Sequence, residues 1–450
     1  MTLPELRKAL ESKGVTPSRK LGQNFLHDAN VAKWIADQLD PQPEDCVVEV
    51  GPGTGALSEH LAGRVRKLIL IEYDQRLAEY LKERFKDEES VEVYHEDGAR
   101  FDTRPLWAEG PVKMLGNLPY SAGGAILRNF IKAPTPVVRA VIMLQKEVID
   151  RIIAVPRTKA FGVLTLRMQS EWDSKPIKTV GPECFFPRPL IDSTVMLCEP
   201  RKEALPVFDR RLFDELIRRG FAQRRKMLRK AMPEKGEKWE EVAKEIDCAS
   251  TARAEELSLQ QWVELTRLYD DNSKIPAQKD EEILDVVDES NEVIGQEQRS
   301  VIHEKELRHR AVHVLLVNGR SELLIQQRSR LKDQLPGKWG SSAAGHLDAG
   351  EDYETCARRE LGEELGISAA ECEILELKMV GEVEAGPENG FEFVRFYLGV
   401  YSGALRTRAN EVEATLWIGQ EDMRRWLESR PEDFAGSFRQ AWQVLEERSG

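Results

Sequence analysis

An α/β chain assembled from two chemically distinct parts is what this sequence predicts, and three observations carry that expectation. Short apolar runs alternate with amphipathic stretches across residues 44–200. Residues 207–268 change to helical spacing. Beyond a polar, proline-bearing stretch at residues 270–279, the charge balance turns strongly acidic. A length of 450 residues exceeds one ordinary domain and gives two or three.

The strands are legible in order. Cys46-Val47-Val48-Glu49-Val50 and Lys67-Leu68-Ile69-Leu70-Ile71-Glu72 read as buried strands. Val91–Tyr94, Lys113–Leu115 and Ala140–Leu144 continue the series. Strands that alternate with helical patterns imply a parallel sheet with helices on both faces. Leu212, Leu216, Phe221 and Leu228, then Trp239, Val242 and Ile246, fit a small helical domain. Pro276 breaks the chain after it, in a segment without periodicity. The expected boundaries are 1–200 for the sheet domain, 201–270 for the helical domain, 271–280 for a linker and 281–450 for the last domain.

Composition narrows the class. A hydrophobic fraction of 41% with 32% charged residues fits a chain with real cores and excludes disorder or a disulfide scaffold. Six dispersed cysteines form no CxxC pair, which argues against a zinc-thiolate or redox motif. The N-terminus lacks a signal-peptide core and no run approaches a membrane span, so a reducing cytoplasm and no membrane are expected. The net charge of −13 is unevenly distributed. Residues 1–270 hold 43 basic and 42 acidic residues; residues 271–450 hold 22 and 36. Residues 201–230 alone carry 11 basic and 4 acidic residues. Their centre, Gln223-Arg224-Arg225-Lys226-Met227-Leu228-Arg229-Lys230, is either a solvated helix face or a phosphate-binding face.

The first strand ends in Glu49-Val50-Gly51-Pro52-Gly53-Thr54-Gly55, where glycines allow a sharp turn and close approach to a ligand. Nicotinamide enzymes and methyltransferases share such loops. The second strand ends in Glu72, about 20 residues on, as ribose binding requires. Glu96-Asp97-Gly98 follows the third strand and Gly116-Asn117-Leu118-Pro119-Tyr120 the fourth. Groups placed after successive strands fit the carboxyl-end crevice of an open parallel sheet. The Asn-Leu-Pro-Tyr segment is the most specific of these. An exocyclic adenine amine is a poor nucleophile because its lone pair is delocalised into the ring. Hydrogen bonds from it to Asn117 and a backbone carbonyl orient that lone pair, and Tyr120 offers a stacking face for an extruded base.

Residues from about 15 to 268 resemble the ribosomal RNA small-subunit adenine dimethyltransferases. The resemblance lies in Leu21-Gly22-Gln23-Asn24-Phe25-Leu26, the Gly51–Gly55 loop, Asn117–Tyr120, Gln145-Lys146-Glu147, Phe185-Phe186-Pro187-Arg188-Pro189 and Gln223–Lys226. It implies a Rossmann-like S-adenosylmethionine methyltransferase with a small C-terminal helical domain. It also implies cofactor binding by Asn24, Leu26, Gly51, Glu72, Asp97 and Asn117. Asn117, Leu118, Pro119 and Tyr120 become the catalytic segment. Arg224, Arg225, Lys226, Arg229, Phe185 and Phe186 become the RNA-binding set. The implied partner is small-subunit rRNA, methylated twice at N6 of two adjacent adenosines near its 3′ end. Two departures stand out: Ser121-Ala122-Gly123-Gly124 follows Tyr120, and Leu190 replaces the family's usual Lys. The related large-subunit methyltransferases share the Asn-x-Pro-Tyr logic, but Phe185–Pro189 and Gln223–Lys226 favour the small-subunit branch.

The acidic part carries Gly345-His346-Leu347-Asp348-Ala349-Gly350-Glu351, then Arg359-Glu360-Leu361-Gly362-Glu363-Glu364-Leu365-Gly366-Ile367. Glu360 and Glu364 share a helix face, with Glu363 beside them. Clustered carboxylates repel unless a cation joins them, and hard oxygen ligands suit Mg²⁺ or Mn²⁺. Every position matches the signature of the Nudix hydrolases. That resemblance implies an α/β/α Nudix domain, metal binding by Glu360, Glu363 and Glu364, catalysis involving Glu363, and a small-molecule diphosphate substrate. Val286–Glu289, Arg308–Ala311, Gln326–Arg328 and Leu335–Trp339 place it in a subgroup near isopentenyl-diphosphate isomerase. The isomerases use a Cys just before the Gly-His pair. Here Ala343-Ala344 precede Gly345-His346, and alanine cannot exchange a proton with carbon, so hydrolysis is expected. Glu411 and Glu413 are weaker candidates for an extra ligand or base. His309 and His346 are expected to be structural or to contact substrate rather than to bind metal. The competing reading is an RNA-binding or ribosome-assembly module with weak methylation, joined to a regulatory Nudix-fold domain.

Overall fold

The computed structural model describes residues 2–17, 23–119, 122–236, 238–277 and 281–449. Leu21, Gly22, Tyr120 and Ser121 lie outside the described residues. The chain forms two compact units: residues 1–206 with 213–265, and residues 207–212 with 266–450.

In the first unit, β1 (Phe25–Leu26) precedes β2 (Cys46–Val50), β3 (Lys67–Glu72), β4 (Val91–His95), β5 (Val112–Asn117), β6 (Val137–Gln145) and β7 (Trp172–Val180). Next come β8 (Phe185–Phe186), which pairs antiparallel with β1, and β9 (Ser193–Pro200). Seven strands form one sheet in the order β4-β3-β2-β5-β6-β9-β7. The first five are parallel, as the alternating pattern predicts. β9 is antiparallel to both β6 and β7, a departure from the all-parallel expectation. Its cause is local: no crossover helix separates β7 from β9, so the chain returns antiparallel.

Every residue of β2 is buried. Because side chains alternate, its residues feed two cores. Cys46, Val48 and Val50 pack with Ile69, Ile71 and Met114 on one face; Val47 packs with Leu68, Leu70 and Leu115 on the other. The order reverses beside β2, where β3 lies to one side and β5 to the other. That switch point opens a crevice at the carboxyl ends of the strands. Asp28 starts the Ala29–Gln38 helix by accepting from the backbone of Asn30 and Val31. The Arg210–Ala222, Trp239–Glu245 and Leu259–Tyr269 helices account for the helical spacing beyond residue 207.

The second unit holds β10 (Ile283–Val287) and β11 (Val293–Gln298), an antiparallel pair. It continues through β12 (His309–Val317), β13 (Glu322–Arg328), β14 (Trp339–Gly340), β15 (Ala343–His346), β16 (Leu377–Val383), β17 (Glu392–Val400) and β18 (Val412–Gly419). These last seven form a mixed sheet in which β12 pairs parallel with β17 and antiparallel with β15. Val312, Val314 and Leu316 of β12 face Cys356, Ala357, Leu361 and Leu365 of the Tyr353–Leu365 helix. That helix is fixed at both ends. Asp352 caps its first turn through the backbone of Glu354 and Thr355, and Gly366 closes it in the left-handed conformation. Such an N-cap contributes about 1 kcal/mol. The Gly436–Ser449 helix packs over β14 and β16. Among the described residues, no helix is long and apolar enough to cross a membrane.

Candidate functional sites

The crevice at the carboxyl ends of β2, β3 and β5 is a cavity of about 250 Å³. Asn24, Leu26, Gly51, Glu72, Asp97 and Asn117 all line it. Glu72 closes β3 with its carboxylate 3.0 Å from the Gly53 amide and 2.9 Å from the Asp74 amide, each N–H donating to it. Gly53 has φ +60°, and a Cβ there would lie 2.9 Å from the Phe25 ring, so both backbone and contact demand glycine. On Asp97, Oδ1 accepts from the Ala99 amide at 2.9 Å, which holds it at the rim after β4.

Asn117 ends β5, and its Nδ2 donates to the Asn24 carbonyl at 3.1 Å. The Leu118 amide donates to the Met143 carbonyl at 3.1 Å, and Leu118 itself is buried. The Pro119 carbonyl accepts from Ala122 and Gly123, starting the Gly123–Ile131 helix. Tyr120, the fourth member of the segment, lies outside the described residues.

Phe25 and Glu49, quoted within sequence motifs but given no site role, and Tyr73, which no motif names, also line the cavity. Tyr73 is 59% exposed and directly follows Glu72, a position readable from the strand end alone. Glu49 is buried under the cavity floor, where the Ser58 hydroxyl donates to it at 2.6 Å. Burial pushes the carboxyls of Glu49 and Glu72 up to about 7, and the charge of Glu72 adds to the rise at Glu49 as that of Asp74 does at Glu72.

The expected RNA-binding set divides. Arg225, Lys226 and Arg229 are exposed. Arg224 is not free in the same way: its Nε donates to Glu255 at 2.5 Å and its Nη2 to the Thr158 carbonyl at 2.9 Å. Phe185 corrects the expectation outright. It is 3% exposed and packs into the core because β8 pairs with β1. Phe186 is half-buried beneath the Arg7 guanidinium, 5.0 Å from the ring centre. Leu190, where the resemblance leads one to look for a cation, is 99% exposed.

In the second unit, Glu360 and Glu364 are buried on the inner face of the Tyr353–Leu365 helix, and Glu363 is half-buried. Arg359 organises the approach. Its Nε and Nη2 donate to the two oxygens of Glu351, each at 3.0 Å. Its Nη1 donates to Glu360 at 2.6 Å, and its Nη2 also reaches the His346 carbonyl at 2.9 Å. Gly345 is required by proximity: a Cβ there would sit 2.1 Å from a Glu360 oxygen. Glu364 accepts from the Ala344 amide at 3.0 Å and from Gln326 at 2.8 Å. Burial, then the charge of Glu364, pushes the Glu360 carboxyl up to about 8; burial likewise raises Glu364. Glu411 pairs with Lys332, and both act electrostatically on Glu364. Glu413 instead lies near Arg330, at 3.8 Å. No motif marked Lys332, and the Gln326–Arg328 piece did not reveal the bond from Gln326 to Glu364, 38 residues on.

A mixed α/β sheet with a glycine turn and acidic strand ends at its switch point defines the first unit as a Rossmann-like methyltransferase, and the signature helix defines a Nudix domain after it. The model of the ribosomal RNA adenine dimethylase family matches residues 16–271, and that of the NUDIX domain matches residues 307–437. The chain belongs to the ribosomal RNA adenine dimethylase family and carries a Nudix domain; both families are enzymes. The Ribosomal RNA small subunit methyltransferase A of Geobacter metallireducens is 37% identical over 267 residues, 57% of this chain and 97% of that protein. Its counterpart in a Picosynechococcus species is 33% identical over 270 residues, 57% of this chain and 99% of that protein. The crystal structure of the 23S rRNA methyltransferase ErmE is 25% identical, with a TM-score of 0.44, over 54% of this chain and 98% of its own.

A pH dependence follows from Glu49. Its pKa in the fold lies above its ordinary 4.5, so the fold favours the protonated form. That stabilisation is complete below about pH 4.5 and is lost as pH rises through about 7. Glu49→Gln keeps an acceptor for Ser58 and removes the titration. Its melting temperature is expected to fall less than that of the unaltered chain between about pH 5 and about pH 8. Parallel profiles would contradict the assignment.

Proposed function

We propose that the first unit transfers methyl groups from S-adenosylmethionine to N6 of two adjacent adenosines near the 3′ end of small-subunit rRNA, two methyls to each. The observation that carries this is Asn117 at the end of β5, its amide nitrogen tied to the Asn24 carbonyl at the edge of the cavity. With Nδ2 engaged there, Oδ1 is left as the acceptor for an incoming amine.

The cavity residues fit the cofactor. Glu72 presents an acidic group to ribose hydroxyls, the Gly51–Gly55 turn admits close backbone approach, and Leu26, Leu57, Ile71, Leu77 and Ile126 supply apolar walls. When bound, the cofactor supplies an electrophilic methyl group on a sulfonium centre. The chain's part is positioning. The adenine amine donates to Asn117 Oδ1 and Leu118 O, which draws the N6 lone pair out of the ring plane's conjugation and aims it across the cavity. Tyr120 stacks on the extruded base. Arg225, Lys226 and Arg229 hold RNA phosphates, within a stretch, residues 201–230, that carries 11 basic and 4 acidic residues.

The second unit, on this reading, hydrolyses a small nucleoside diphosphate-type substrate with Mg²⁺ or Mn²⁺ held by Glu360, Glu363 and Glu364. Two buried, raised carboxyls on one helix face support that donor set: Arg359 is shared among Glu351, Glu360 and Glu363 and does not neutralise them all. Held by Glu360, Glu363 and Glu364, a divalent ion would supply Lewis acidity toward the diphosphate and would lower the pKa of a water. Glu363, the more exposed of the three, is assigned to accept the water's proton, while Glu351 fixes the helix through Arg359. We assign residues 1–200 to the methyltransferase domain, 201–270 to the RNA-binding helical domain, 271–280 to the linker and 281–450 to the Nudix domain, and place the protein in the cytoplasm.

Asn117→Ala is expected to lower methyl transfer to undermethylated small subunits by about 100-fold or more, with circular dichroism unchanged. Unchanged turnover would refute the role of Asn117. For the second unit, a panel of nucleoside diphosphate derivatives with Mg²⁺ is the test. Hydrolysis is expected in the unaltered chain and to fall at least about 100-fold in Glu363→Gln/Glu364→Gln. Equal rates in the two proteins would reject the carboxylates as the metal site.

A further inference from the structure

We propose that Gln326 is a positioning residue of the second site: its side-chain amide sets the Glu364 carboxylate so that one oxygen is anchored and the other is presented to the divalent ion. The inference rests on the hydrolase reading of the second unit and deepens it, since it names what holds a ligand in place.

Gln326 stands in the middle of the sheet. It lies on β13, opposite Gly340 of β14 on one side and Thr415 of β18 on the other. A core strand bonded on both edges is among the parts of a fold that open least. Side chains alternate along a strand, so Gln326 shares the face of Leu324, which packs in one cluster with Leu361 and Leu365 of the signature helix. That alternation turns the Gln326 amide toward the helix, where the residue is 4% exposed.

Two donors meet at Glu364. Gln326 Nε2 donates to its Oε2 at 2.8 Å, and the Ala344 amide of β15 donates to the same oxygen at 3.0 Å. Among the described residues, no donor reaches the other oxygen, Oε1, and Gln326 supplies the one side-chain bond to Glu364. A carboxylate tied through one oxygen keeps the other in a fixed direction, which is the pre-organisation a metal ligand needs.

The amide holds this orientation at a cost to itself. Gln326 Oε1 is buried and has no hydrogen-bond partner. Turning the amide over would set that oxygen against the Glu364 carboxylate and take the donor away. Buried polar atoms are rarely left unsatisfied, and such exceptions concentrate at functional sites. Neighbouring cations do not replace the amide. Lys332 is paired with Glu411, and Arg359 is divided among Glu351, Glu360 and Glu363. Glu364 is therefore oriented by a neutral group, which fixes the carboxylate without cancelling the charge that attracts a cation.

The test uses the full chain, freed of metal with a chelator and titrated with Mn²⁺, whose paramagnetic resonance signal reports the free ion without any substrate. Four proteins are compared: the unaltered chain, Gln326→Met, Gln326→Asn and Glu364→Gln. The equivalent of Mn²⁺ that Glu364→Gln loses is the one followed. Gln326→Met keeps the volume and removes the amide, and Mn²⁺ affinity is expected to fall about ten-fold or more. Gln326→Asn keeps an amide but shortens its reach; it serves where Gln326→Met does not fold, and a weakening in the same direction is expected. The melting temperature of metal-free Gln326→Met is expected to match that of the unaltered chain, since the amide trades one bond for one orphaned oxygen. Its rise on adding Mn²⁺ is expected to shrink. Equal affinity in the unaltered chain and both Gln326 variants, with Glu364→Gln weakened, would overturn the role of Gln326 and leave the hydrolase reading standing. A lower metal-free melting temperature with unchanged Mn²⁺ affinity would make Gln326 structural only. No Mn²⁺ equivalent lost in Glu364→Gln would sink the carboxylate metal site, and the inference with it.

Discussion

Carboxylates taken out of water and left short of counter-charge govern both units. Glu49 and Glu72 sit beneath and beside the first cavity, where the Gly53 and Asp74 amides donate to Glu72 and the Ser58 hydroxyl to Glu49. Glu360 and Glu364 sit on a helix whose Arg359 is divided among Glu351, Glu360 and Glu363. Desolvation raises all four above the ordinary carboxylate range. On the proposed reading a ligand completes these groups: hydroxyl donors in the first cavity, a divalent cation in the second. The cost of burial and the capacity to bind are then the same physical fact.

The strand ends convert that chemistry into geometry. Glu72, Asp97 and Asn117 come from three stretches far apart in the chain, yet each follows a parallel strand and so reaches one crevice. In the second unit, β13 and β15 do the equivalent work. Gln326 and Ala344 bring two donors to one oxygen of Glu364. Arg359 then links β15 to the signature helix through the His346 carbonyl.

Much of this was readable before any coordinates. The buried parallel strands announced themselves as continuous apolar runs, and the acid or amide following each run marked the cavity. The Gly345–Ile367 pattern is local, so spacing alone placed its carboxylates on one face. What escaped reading depends on pairing between distant segments. The antiparallel course of β9 has no marker in a residue pattern that strands of either direction share. Phe185 belongs to a motif taken as an RNA face, but the two-residue ladder with Phe25–Leu26 turns it into the core. Arg224 sits in a basic run yet is tied by Glu255, 31 residues away. The bond from Gln326 to Glu364 joins a strand to a helix 38 residues on. The whole-chain charge of −13 misled in the same way, since it averages a near-neutral half with an acidic one.

The central claim is that the first unit is a working rRNA methyltransferase and not a retained binding module. Its most direct test is the number of labelled methyl groups transferred from S-adenosylmethionine to small subunits lacking the modification, with the acceptor positions mapped. The account predicts two methyls on each of two adjacent adenosines near the rRNA 3′ end. Subunits that bind the protein and gain no label would contradict it.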